Sequence, residues 1–508
     1  MRIRCTLVVS ALLLLASSLA FSQSGIGPIT TSVPNARQRI GTPSSVIADG
    51  FVLTRVVDGN FALENPTGAY TKYGFLSDGT LTEPDENTYL GFGSNLGGPT
   101  QGYNYGTHFV FQGHENGGGR AYITRVNLDV TDPAHKVTLL TTPDPVTGLT
   151  NFSSIDGSTY DPFTNTLLFA QEAGTNGGVI QVTTSWPPVV NTLYGILGRG
   201  GYEGIHPDDL GNLLIIEDVG GTSVNVDPND PNSPKVARQP NSFVYRFIPY
   251  DPSDLSAGGK LQALRVFIAG TPIVFGNNAS ADVFSSAQLA LHTPGTSYPV
   301  DWVTVHDTAV DGFASFGANA LAKSKGATPF KRPENAQFLP GSGFQTFFFD
   351  PTGDTNADAG TPALAARGSW GSIFRVDLAS DRNTGTISIL ILGDANHASF
   401  DNLTFADDHT LLAAEDRGDT LHVQLNKLDS VWAFATDGSA APRRFVALGR
   451  DSVSLKVGED NEPTGLHVSA GGTSAADLPG TLNNLTNSRA FLTRQHGTNQ
   501  LWEITTDQ

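Results

Sequence analysis

Short apolar runs alternate with turns rich in glycine, proline and aspartate along most of the chain, and a 3.6-residue period is almost absent. From Phe51 onward, runs such as FVLTRVV, HFVFQG, TLLFAQE, NLLIIED, QTFFFD, TISILIL, SVWAFAT and LWEITT each have the length and β-branched or aromatic content of a strand. Only Ser285 to Leu291 and Val310 to Lys323 read as short helices. Within this pattern a small unit recurs: an apolar strand, one or two acids, a glycine turn, then a second strand. Its clearest copy is LLAAEDRGDTLHV, Leu411 to Val423, with related copies from Phe109, Leu167 and Leu213 and looser ones from Phe344 and Ala490. Such a unit cannot bury its apolar face alone, so the copies must stack on one another.

Many short strands in a repeating unit predict an all-β, six-bladed β-propeller, with seven blades also open. The unit's acids fall at Glu115, Glu172, Glu217, Asp350 and Glu415, with a last copy near His496. The interval from Glu217 to Asp350 is longer than a blade and holds either an unrecognised blade or an insertion, with about 228–332 reading as the inserted irregular region. The propeller domain is expected over 49–508, after an extended leader at 23–48. A strand from the start of this domain should pair with the last strands and remove an exposed edge.

The first 22 residues change the picture of where the chain works. Arg2 and Arg4, the apolar run VVSALLLLASSLAF, and the small Ala20 and Ser22 make a secretory signal. A secreted or periplasmic protein is expected, with no transmembrane segment after cleavage. Cys5, the only cysteine, leaves with the signal, so the mature chain has neither thiol nor disulfide. Asp and Glu number 49 against 30 Lys and Arg, a net charge of −19 with no basic patch, which argues against nucleic-acid binding. Acids gathered in glycine turns instead invite a hard cation such as calcium. A monomer is expected.

In a propeller the inner strands converge on a channel, so residues far apart in sequence meet at its mouth. The repeated acids, with Asp416 beside Glu415, are therefore candidate metal ligands as a set, although any one alone reads as a solvated turn acid. The segment GRGGYEGIHPDDLGNLLIIED adds Glu203, His206, Asp208, Glu217 and Asp218. Arg332, next to Glu334, is either a guanidinium that clamps a phosphoryl or carboxylate group or half of an inter-blade salt bridge. In DPTGDTNADAG, the spacing of Asp354, Asn356 and Asp358 suits either a calcium loop or a polar surface loop. There is no G-x-S-x-G elbow, P-loop or zinc-spaced cluster.

Taken in order, GHEN, TLLFAQEAG, GYEGIHPDD, FKRPENAQF, NLTFADDHTLLAAEDRG, NEPTGLHVS and FLTRQHGTNQLWEI resemble the PhoX-type alkaline phosphatase family, from about His108 to Ile504. The resemblance implies a six-bladed propeller with calcium ions and an iron pair in its central funnel, held mostly by Glu and Asp, and hydrolysis of phosphate esters. It makes Glu115, Glu172, Glu203, Glu217, Glu334 and Glu415 candidate metal ligands, with Asp218 and Asp416 beside them. Arg332 becomes a candidate phosphate clamp and, with His206, a candidate catalytic residue. Two departures stand out: the family's iron pair uses a cysteine thiolate, absent from this mature chain, and its twin-arginine export signal is replaced by Arg2 and Arg4 split by an isoleucine. The expectation is a secreted calcium-binding hydrolase of small phosphate esters, its second metal left open. A non-catalytic calcium-stabilised propeller and a calcium-dependent esterase or lactonase remain alternatives.

Overall fold

The computed structural model describes residues 25–34, 44–450 and 461–507; the signal read at 1–22, with Cys5, lies outside them. Among the described residues almost all regular structure is antiparallel strand, and the longest helix, Gly418–Leu425, has eight residues. Among the described residues no helix is long and apolar enough to cross a membrane.

Four sheets stand as separate blades. The first runs from Glu83–Gly91 through His108–Glu115 and Tyr122–Asn127 to Val137–Leu139, and the second from Ile155–Asp161 through Thr166–Gln171 and Gly178–Thr183 to Val190–Thr192. A third is built on Phe400–Asp407, Thr410–Glu415, Ser430–Ala435 and Arg443–Ala447. The fourth joins Pro463–Ser469, Arg489–Arg494 and Gln500–Thr506 to Phe51–Val57, a strand from the start of the domain. Phe51 lies opposite Thr506 and Arg55 opposite Trp502, so the start of the domain seals its end, as edge protection requires.

The rest differs from the six-bladed, or seven-bladed, propeller that the repeat led us to expect. One continuous ten-stranded sheet runs from Tyr202–Pro207 to Pro333–Phe338. Its cause is a pair of long strands, Gly259–Ile268 and Ser297–Asp307, in the stretch between Glu217 and Asp350. They pair with each other over most of their length, and Ser297–Asp301 then continues the ladder onto Thr384–Ser388. No blade boundary can form where hydrogen bonding is unbroken. The sheet curls until its edge strands, Tyr202–Pro207 and Pro333–Phe338, lie beside each other without a shared ladder. The fold is therefore a four-bladed propeller plus a separate, nearly closed β-barrel.

The free inner strands of the blades and the two barrel edges still share an axis. Glu83–Gly91, Ile155–Asp161, Tyr202–Pro207, Pro333–Phe338, Phe400–Asp407 and Pro463–Ser469 pack side by side in a closed ring. Behind the ring the core is aromatic. Phe349, fully buried, meets Phe330 edge-on at 4.9 Å between ring centroids and stacks on Phe374 at 5.3 Å. Phe349→Ala should cost about 3–5 kcal/mol, because this close-packed wall cannot collapse onto the cavity. A matching drop in the urea midpoint would check this; an unchanged midpoint would mean that the barrel wall bears little of the fold's stability.

Candidate metal centre

Each strand of the ring begins in the same way. A bulky residue (Pro84, Ile155, Tyr202, Pro333, Phe400 or Pro463) is followed by Asp85, Asp156, Glu203, Glu334, Asp401 or, in the last strand, Thr464. The pairing of each inner strand with its neighbour slips at this point, as between Tyr202 and Ile205 or between Phe400 and Leu403. Such a bulge re-aims a side chain that a regular ladder would hold in the sheet's own alternation. Glycine follows the acid where adjacent strands touch: a Cβ on Gly157 would lie 2.0 Å from the Glu203 carbonyl oxygen. One on Gly204 would lie 2.8 Å from Asn335 Oδ1. Larger residues there would push the acids apart.

Ends of second strands supply the remaining carboxylates. Asp85, Glu115 and Asp156 form one group, Asp156, Glu172 and Glu203 a second, and Glu203, Asp218 and Glu334 a third; within each, carboxylate oxygens lie within 4.8 Å of one another. Shared Asp156 and Glu203 join the groups into an arc of seven carboxylates. Arg332, held at a left-handed φ of 52°, closes one end. Its Nε and Nη2 each lie 2.8 Å from Asp218 Oδ2, and Nη2 is 3.3 Å from Glu334 Oε1. At the other end Gln495 Nε2 donates to Asp85 Oδ2 at 2.6 Å and Glu115 Oε1 at 2.9 Å.

Burial, followed by the charges of neighbouring acids, pushes the carboxyls of Glu115, Asp156, Glu203 and Asp401 well above the usual range. Glu334 rises for the same reasons although Arg332 opposes it, and Glu172 is pushed up to about 8, chiefly by burial and then by Asp218. Asp218 Oδ1 and Asp401 Oδ2 are buried with no hydrogen-bond partner among the described residues. An all-oxygen donor set with unpartnered buried carboxylate oxygens suits a divalent cation, and above all a hard one. It does not suit an iron pair that needs a thiolate, since the chain's one cysteine is Cys5.

The structure brings Glu115, Glu172, Glu203, Asp218, Glu334 and Arg332 together. It puts Glu217 elsewhere: fully buried, Glu217 accepts from Tyr245 Oη and Asn319 Nδ2 at 3.0 Å and from the Phe243 amide at 3.2 Å. Glu415 is likewise turned away, pairing with Arg417 and accepting from the Ala398 amide. Asp350 accepts from the Asn335 amide, and Asp416 from the Gly418 amide at 2.8 Å. His206 lies one turn of the pleat deeper, its Nε2 donating to Asn335 Oδ1 at 2.9 Å; burial lowers its pKa to about 4. Asn335 also bonds Glu86, which burial pushes up to about 8. Asp354 pairs with Lys331 at 2.8 Å and accepts from the Arg238 amide, so it is an internal counter-ion. Reading the sequence by strand-to-turn acids missed Asp85, Asp156 and Asp401. Asp156 and Asp401 lie in another recurrence, a bulky residue, an acid, then Gly or Asn (IDG, YEG, PEN, FDN), which Asp85, in PDE, shares only in its first two positions.

A carboxyl whose native pKa is raised keeps its proton longer in the fold than in the unfolded chain. The folded state then binds more protons, and stability falls as pH rises from the ordinary 4.5 of Glu172 to about 8. In chelator, the melting temperature should drop by several degrees across this window, and added calcium should flatten the slope; a rise with pH in chelator would contradict the assignment. Asp156→Asn, at the junction of two groups, should raise the chelated melting temperature while weakening calcium binding at least about tenfold. Calorimetry measures both.

The family profile of "Alkaline phosphatase PhoX" matches residues 223–473. No curated protein sequence matches the chain. Among solved structures, PhoX of Pseudomonas fluorescens in complex with vanadate, a transition state analogue, aligns over 95% of this chain and 98% of its own, with a TM-score of 0.54 and 12% identity. The holo pyranose dehydrogenase PQQ domain of Coprinopsis cinerea aligns over 94% and 100% at a TM-score of 0.33 and 12% identity. TolB of Acinetobacter baumannii aligns over 83% and 64% at 0.30 and 9%. These last two likenesses are too low to bear on the chain. Residues 223–473 therefore carry a PhoX-type, alkaline-phosphatase-like family domain, and the chain as a whole shares the overall fold of the Pseudomonas protein.

Proposed function

We propose that the protein is an exported, calcium-dependent phosphomonoesterase that works at the acidic mouth of the ring. The observation that carries this reading is the arc of seven carboxylates ending on Arg332. Acids alone would repel a phosphate ester, so the mouth is suited to an anionic substrate only when cations neutralise it. A bound divalent cation supplies positive charge and Lewis acidity to the phosphoryl group and to water. The chain's own part is to hold and orient. Asp85, Glu115, Asp156, Glu172, Glu203 and Glu334 present oxygens from several strands to common points. Asp218 engages Nε and Nη2 of Arg332, which leaves Nη1 to meet an equatorial phosphoryl oxygen. His206, neutral at ordinary pH, is a positioning residue that holds Asn335, the residue bonded to Glu86. Export is read from the leader at 1–22.

Hydrolysis of p-nitrophenyl phosphate by the mature chain should vanish in chelator and return with calcium. Arg332→Gln should lower kcat about a hundredfold, the usual loss when one donor to a developing anion is removed. Absence of turnover with calcium, iron, manganese and zinc alike, together with a large chelator effect on melting, would instead make the cations purely structural.

A further inference from the structure

Residues 223–238 form a two-stranded ribbon beside the acidic mouth. Ser223–Asn225 pairs with Lys235–Arg238, and Ser223 lies opposite Arg238. The ribbon leaves the loop after Asp218 and returns to Asn241, whose Nδ2 donates to the Val219 carbonyl at 3.0 Å and the Gly220 carbonyl at 3.3 Å. Ser242 Oγ accepts from the Val219 amide at 2.8 Å, so the base of the ribbon is pinned next to a mouth carboxylate. Ala237 packs into a small apolar core with Val283, Ala359 and Leu364. Arg238, the next residue along the strand, therefore falls on the ribbon's other face. Its guanidinium lies across the exposed Gly220, where a Cβ would stand 2.8 Å from Nη1. Gly220 is two residues from Asp218, which puts Nη1 within roughly 11 Å of the Asp218 Cα.

Arg238 is half-buried, yet its guanidinium has no hydrogen bond or ion pair among the described residues. Asp354 is the carboxylate beside it. That carboxylate accepts from the Arg238 backbone amide on Oδ1 and from Lys331 Nζ on Oδ2, each at 2.8 Å. One negative charge thus stands between two cations, its side-chain contact goes to Lys331, and one positive charge is left over at the rim. The planar fork of a guanidinium matches the oxygens of a carboxylate or a phosphate. We propose that Arg238 is a specificity-determining residue that binds a second anionic group, carboxylate or phosphate, on the alcohol part of the ester. This rests on the phosphomonoesterase reading and narrows its substrates to phosphate monoesters that carry a further anion. Arg332 meets the phosphoryl group, and Arg238 meets the distal anion. That contact is equal in the ground state and the transition state, so it acts on KM rather than on kcat.

The test is kcat/KM of the calcium-loaded mature chain for 4-carboxyphenyl phosphate, divided by kcat/KM for its neutral isostere, 4-carbamoylphenyl phosphate. A ratio of about ten, carried by KM, is expected from one charge-assisted contact at a partly exposed site. Arg238→Gln should bring the ratio to about one, and Arg238→Lys, which keeps the charge but loses the fork, to about three. If Arg238→Gln does not fold, Arg238→Lys decides alone. 1,4-Phenylene bisphosphate, set against phenyl phosphate, repeats the comparison with phosphate as the second anion; a preference confined to one of the two pairs identifies the anion bound. Turnover of the neutral ester without a preference for either dianionic one would overturn the role of Arg238 and leave the phosphomonoesterase reading standing. A preference that both variants leave intact would overturn it too, since the second anion would then bind elsewhere. No turnover of any ester would overturn the phosphomonoesterase reading and this proposal with it.

Discussion

Mutual repulsion among buried carboxylates is the constraint on which the rest of the structure turns. Seven of them lie in overlapping groups with oxygens within 4.8 Å, and one guanidinium is their close cationic partner. Burial removes the water that would screen them, and each charge raises the cost of the next. Without cations the arc must hold protons; a bound divalent cation would neutralise it.

The fold meets that constraint by backbone means. Five ring strands slip their register at the acid, and the sixth at Thr464, which turns the side chain toward its neighbours. Gly157 and Gly204 let adjacent strands approach so closely that a Cβ would collide with the next strand. Pairing of Phe51–Val57 with Gln500–Thr506 then locks the ring, so that the acids cannot relax apart by opening it. On the barrel side the same work is done by unbroken hydrogen bonding through Ser297–Asp307.

Two recurrences were present in the sequence, and only one was read as a site signal. The acid-then-glycine turns led to Glu115 and Glu172, which do meet the ring, because those acids end second strands that lie against inner ones. The same rule led to Glu217 and Glu415, which the structure turns toward Tyr245 and Arg417. At the end of a strand, one residue of register decides whether a side chain faces the channel or the space between sheets. The shorter recurrence, IDG, YEG, PEN and FDN, is more faithful because its glycine or asparagine marks the close contact itself.

By itself the sequence determined the all-β class, the turn-rich strand alternation, the closure of the last strands by the first, and a chemistry of oxygen ligands without thiols. These follow from residue type and local period, which need no knowledge of distant neighbours. Tertiary structure alone decided that four blades stand separate while ten strands join in one barrel, because Gly259–Ile268 and Ser297–Asp307 pair across the expected boundary. It also decided which acids share a point in space. That choice depends on bulges and close approaches between strands hundreds of residues apart, where hydrogen-bond register rather than composition sets the direction of a side chain.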